Sequence, residues 1–146
     1  MRRFAPLLAS VLVACAHGAS GSSPVSLRSE TVQEDKAELA FDLSYEVKGP
    51  RKVELVLKMR VIGIQETNKL VAELYIKGFN VDSGNTRWDG FVPPRQPQTF
   101  RVALSVPDGF DTATATISLT RSQDSLPLMR EELIFAIDDK GTVTKQ

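Results

Sequence analysis

From Ala37 onward, apolar and polar residues alternate with a period of two, and that pattern admits strands and little else. Ala37, Leu39, Phe41, Leu43, Tyr45 and Val47 share one parity. Glu38, Asp42, Ser44, Glu46 and Lys48 share the other, with Ala40 the single apolar exception. Val53, Leu55, Leu57, Met59 and Val61 repeat the pattern against Glu54, Lys58 and Arg60. So do Leu70 to Ile76, Phe100 to Val106, Ala113 to Leu119 and Met129 to Ile137. A helix, with about 3.6 residues per turn, would wind such sets around its axis, whereas a strand keeps them on one face. Each segment therefore reads as a half-buried strand.

Turn chemistry separates these segments. Gly49-Pro50, Glu66-Thr67-Asn68, Asp82-Ser83-Gly84-Asn85, Pro93-Pro94 and Pro107-Asp108-Gly109 fall between them. Asp138-Asp139-Lys140-Gly141 predicts a hairpin turn into a short last strand around Val143. Thr31-x-x-Glu34 has the spacing of a helix capping box, but its charged surroundings read better as a loop. Seven or eight strands, each with one apolar face, need a second sheet to cover that face, so the expected fold is an all-β antiparallel sandwich. In architecture it resembles immunoglobulin and fibronectin type III modules, and Gln98 to Arg121 resembles the final hairpin of such modules. The Cys-Trp-Cys pattern of true immunoglobulin domains is absent, and a small barrel is the alternative closure.

The whole chain has 146 residues, enough for one domain with a real core. It contains one cysteine, Cys15, and one histidine, His17, and both precede the alternating region. No disulfide can form within that region, no zinc site of the usual Cys/His kind, and no Ser-His-Asp or Cys-His catalytic set. No organic cofactor is implied by any motif. Lys plus Arg and Asp plus Glu are 18 each, and no basic cluster offers a surface to nucleic acid.

The first residues have a different character. Arg2-Arg3 opens a positive start, and Phe4 to Ala14 is apolar apart from Pro6 and Ser10. Eleven residues rise about 16 Å as a helix, roughly half a bilayer's hydrocarbon core, which suits an export signal better than a transmembrane span. Leu12-Val13-Ala14-Cys15 resembles the lipobox of bacterial lipoproteins. That resemblance implies cleavage before Cys15 and a diacylglyceryl group on its thiol. Three segments follow: a signal over 1–14, a lipidated cysteine and flexible tether over 15–24, and the sandwich over 25–146. Removal of Arg2 and Arg3 would leave a net charge of 16 − 18 = −2. Ala16, rather than Asp, follows the cysteine, a pattern resembling outer-membrane sorting toward the periplasm. The competing reading takes Ala14-Cys15-Ala16 as an ordinary signal-peptidase site, which would leave a secreted or soluble periplasmic protein.

Within the sandwich, few residues suggest chemistry. Asp82, Asn85, Asp89, Asp108 and Asp111 lie in or near turns, where oxygen ligands for calcium could converge, although their spacing matches no calcium loop. Turns also select these residues for their own backbone reasons. Trp88 and Phe91 could stack on a sugar ring, or Trp88 could pack over a core edge while Asp89-Gly90 turns the chain. Thr112, Thr114, Thr116, Ser118 and Thr120 form a hydroxyl row that β-propensity alone explains. Glu131-Glu132 are strand neighbours that must face opposite sides, and Glu34-Asp35 and Asp138-Asp139 read as solvated loop charge. The expectation is therefore a non-enzymatic, membrane-anchored binding or structural module whose partner is another envelope protein. The alternative is a calcium or carbohydrate binder using Asp82, Asn85, Trp88, Asp89 and Phe91.

Overall fold

A computed structural model describes residues 23–122 and 127–146. The signal segment, Cys15 and the tether as far as Ser22 lie outside the described residues. Among the described residues ten strands are formed: β1 (Val25–Glu34), β2 (Ala37–Gly49), β3 (Lys52–Ile62), β4 (Leu70–Lys77), β5 (Asn80–Ser83), β6 (Arg87–Gly90), β7 (Gln98–Ser105), β8 (Thr112–Arg121), β9 (Pro127–Ile137) and β10 (Val143–Lys145). They make two five-stranded antiparallel sheets, ordered β1-β2-β3-β7-β5 and β10-β9-β8-β4-β6. Among the described residues no strand of one sheet pairs with a strand of the other, so the fold is a sandwich and not a barrel. The order β2-β3-β7-β5 against β9-β8-β4 is the ABED and CFG arrangement of constant-type immunoglobulin sandwiches.

The alternating residues pack as their parity dictates. Leu39, Phe41, Leu43, Leu55, Leu57 and Met59 from one sheet meet Leu70, Ile117, Leu119, Met129, Leu133 and Phe135 from the other in one buried core. Phe135 takes the edges of two rings, Tyr45 at 5.5 Å and Phe79 at 5.8 Å between centroids. Burial of this apolar area is the main stabilising term for a domain whose described residues contain no cysteine.

Three strands exceed the alternation pattern, and two readings are corrected. Thr31 to Glu34 is not a charged loop but the end of β1, and Glu34 is fully buried. Asp82 and Ser83 are not turn residues but close β5, whose register against β7 shifts between Val81 and Ser83. The reversal itself falls at Gly84, where φ is +86°. Among the described residues the strand count is thus ten, against the seven or eight expected, within the same sandwich class.

The register sorts the connections into two ends. One end carries the β2–β3, β7–β8 and β9–β10 turns. There Arg51 donates through its amide to the Gly141 carbonyl at 2.8 Å. Its guanidinium donates to the carbonyls of Pro107 and Phe110 at 2.9 and 3.0 Å. β1 begins toward this end, with Val25 opposite Tyr45. The other end carries the β1–β2 turn and the β3–β4 and β6–β7 loops.

Candidate functional site

The loops at the end remote from Val25 are tied to one another by buried polar groups. The Glu34 carboxylate, 0% exposed, accepts from the backbone amide of Asn68 at 3.2 Å and from that of Lys36 at 3.4 Å. The Asn68 side-chain amide in turn donates to Asp35 at 3.0 Å. Thr67, also buried, makes a reciprocal pair with Val92: its amide donates to the Val92 carbonyl at 3.3 Å, and its hydroxyl accepts from the Val92 amide at 3.0 Å. The β1–β2 turn, the β3–β4 loop and the β6–β7 loop are therefore joined through Thr67 and Asn68. Buried polar groups tolerate such a position only when paired, and these are paired.

This tied frame displays apolar side chains instead of hiding them. Ile64 is 90% exposed, next to Gly63, whose φ of +108° turns the chain out from β3. Ile62 and Phe91, at the same end, are 39% and 49% exposed. Ile64 is visible in the sequence as an apolar residue standing outside the alternation, in Gly63-Ile64-Gln65-Glu66. Glu34 and Thr67 carried no such signal, because their burial depends on partners far along the chain.

The five residues of the sequence-derived ligand loop are spread over a crossing between the sheets. Asp82 stands on β5 and accepts from the Ser105 hydroxyl at 2.7 Å. Asn85 is exposed in the bend after Gly84. Trp88 lies on β6 opposite Ala72 and packs against the core. Asp89 forms ion pairs with Arg87 at 3.6 Å and Lys69 at 3.8 Å. Phe91 belongs to the loop end just described. Asp108 lies 3.6 Å from Arg51, and Asp111 accepts from the Thr112 hydroxyl at 3.0 Å. Among the described residues no group of three or more acidic, histidine or cysteine side chains gathers as a metal cage.

The outer faces of both sheets are polar and shallow. Beside the hydroxyl row of β8, Tyr75 and Arg130 border a depression of about 430 Å³ that also touches Thr116, Ser118 and Thr120. Tyr75 donates its phenol proton to Glu73 at 2.7 Å, and Arg87 holds the same carboxylate. On the opposite sheet, Ser29, Ala40, Asp42, Lys58 and Arg60 line a depression of about 450 Å³. Asp42 there accepts from the hydroxyls of Ser29 and Ser26 at 2.6 and 3.2 Å. Glu131 and Glu132 stand opposite Ile117 and Thr116, on opposite faces of β9.

No protein-family model and no curated protein sequence matches this chain. What the described residues offer is a rigid frame with ordered loops at one end, hydroxyl-rich faces, and no thiol or imidazole.

Proposed function

We propose that the chain is a lipid-anchored protein of the bacterial cell envelope, moored through Cys15, whose sandwich serves as a non-catalytic binding module for another envelope protein. The observation that carries this reading is the loop end, where Ile64 stands 90% exposed on a frame fixed by Glu34, Thr67 and Asn68. A single exposed aliphatic residue is common on protein surfaces. One held on a pre-ordered loop loses little further freedom when a partner covers it, and that saving goes into affinity. The mooring agrees with this orientation. Cys15 precedes Val25 by 25 − 15 = 10 positions, and β1 starts toward the end opposite Ile64. The loops then face away from the membrane. Ala16 after the cysteine supports the outer membrane, with the domain in the periplasm. The Asp82–Phe91 segment is not advanced as a ligand site, because Asp82 and Asp89 are engaged by protein groups and Trp88 packs on the core.

Two measurements test the two halves of the proposal. Cys15→Ser should move the protein from the detergent phase to the aqueous phase, and unchanged partitioning would remove the anchor. Ile64→Asp should abolish cross-linking in native membranes to a partner that the parent chain captures. A substitution at the opposite end, Asp139→Ala, should leave it intact. Equal capture by both variants would remove the loop end from the interface.

A further inference from the structure

We infer that β1 is a pairing edge for a second copy of this chain, and that two protomers join antiparallel through it with Ser29 facing Ser29 on a two-fold axis.

Every open sheet has edges, and an unpaired edge exposes backbone donors and acceptors that template another strand. Among the described residues the four edges here are unequal. β5 and β6 have four residues each and β10 has three, which is too short for a stable ladder. β1 has ten residues and pairs on one side only, with β2. Ser29, Glu30 and Thr31 in its middle are exposed. The strand is blunted by a register irregularity between Ser26 and Arg28 and by the inward-pointing charges of Arg28 and Glu30, yet Arg28 to Glu34 keeps a regular register with β2.

The chemistry of the strand selects the occupant. Arg28 stands opposite Leu43 and Glu30 opposite Phe41, so both project on the core side of the sheet, at its rim. Their side chains form an ion pair at 2.6 Å, and Arg28 also reaches the Arg130 carbonyl of β9 at 3.5 Å. A two-fold axis perpendicular to the sheet keeps the faces of both copies aligned, so it must pass through a residue facing itself. An axis at Arg28 or at Glu30 would set like charges opposite one another. An axis at Thr31 would place Arg28 across from Glu34, a carboxylate already taken by the Asn68 and Lys36 amides. An axis at Ser29 places Arg28 opposite the second copy's Glu30, and Glu30 opposite its Arg28. Both pairs are then attractive, and opposite charges across a ladder favour that register. The inference does not depend on the lipid anchor.

The test uses the full chain carrying Cys15→Ser, so that any added thiol is the only one, with sedimentation velocity as the readout. The parent sequence at β1 is expected to dimerise. Arg28→Glu alone and Glu30→Arg alone are each expected to dimerise at least about tenfold more weakly, since each sets like charges opposite one another twice. An equal mixture of these two variants should recover the dimer as a mixed species, because each chain supplies the charge its partner needs. A role confined to the ion pair within one chain would not produce that recovery. Ser29→Cys should close a disulfide between copies on mild oxidation, and Gln33→Cys should not. A parent chain that stays monomeric at its highest soluble concentration overturns the inference. So does a mixture no more dimeric than its components, or equal trapping at Ser29 and Gln33.

Discussion

The backbone amide of Asn68 donates at 3.2 Å to the carboxylate of Glu34, a group sealed from solvent and 34 positions away in the chain. That bond links the β1–β2 turn to the β3–β4 loop. Lys36, whose amide bonds the same carboxylate, is exposed and can turn to water, whereas Asn68 is half-buried. Glu34→Ala should therefore lower stability by about 1–3 kcal/mol, the usual cost of stranding a buried partner. Glu34→Gln keeps an acceptor oxygen at the same place and should lose less. Urea midpoints of the three chains decide it, and an Ala variant as stable as the parent would show that the carboxylate ties nothing.

The sequence makes the middle of the fold plain and its margins obscure, for a physical reason. β2, β3, β4, β7, β8 and β9 are covered on one side only, so their parity records which face the core takes. β1 sits at the rim, where the core side of the strand carries Arg28, Glu30 and Glu34 with Val32 as the one aliphatic residue among them. Its irregularity near Leu27 also breaks the period. β5 has all four residues exposed, and β6 alternates exposed with half-buried residues over only four positions, so neither shows a period long enough to read. The charge of Glu34 argued for solvent because its partners, two backbone amides, have no side-chain signature. Asp82 looked available for a ligand because its partner Ser105 lies 23 positions away, whereas Asp89 is held by Arg87, two positions away, as well as by the more distant Lys69. The packing of Trp88 was legible as one of two alternatives, and burial against the core decides between them.

Gly84 and Gly109 form a matched pair that separates backbone strain from collision. Both occupy the left-handed region, at φ of +86° and +91°. A Cβ on Gly109 would meet open space, while one on Gly84 would run into the Arg101 carbonyl of β7. Gly109→Ala should cost about 1–2 kcal/mol from backbone conformation alone. Gly84→Ala should cost roughly 1–3 kcal/mol more, because β5 must move away from β7. Thermal melts of both variants, run side by side, give the comparison. Equal losses would mean that β5 yields freely and contributes nothing to the edge of its sheet.

Tyr75 offers the clearest pH signature, since its phenol donates to Glu73 while standing 65% exposed on the outer face of β4. The hydrogen bond to Glu73 and the carboxylate's negative charge both oppose ionisation, and together they raise the phenol pKa above its ordinary value. Arg87 works in the other direction from the far side of the same carboxylate. A folded-state pKa above the unfolded one means that the Tyr75–Glu73 bond contributes fully below the ordinary tyrosine range, near pH 10, and is lost as pH climbs through the raised value. The chain has two tyrosines, so Tyr45→Phe isolates the signal while keeping the ring that packs on Phe135. In that background, tyrosinate absorbance should titrate at lower pH after Glu73→Gln, and at higher pH after Arg87→Ala. Curves that superimpose for all three chains would mean that the Glu73 contact does not persist in solution. The polar face beside the β8 hydroxyls would then lack the fixed arrangement of Arg87, Glu73 and Tyr75 that the hydrogen bonds describe.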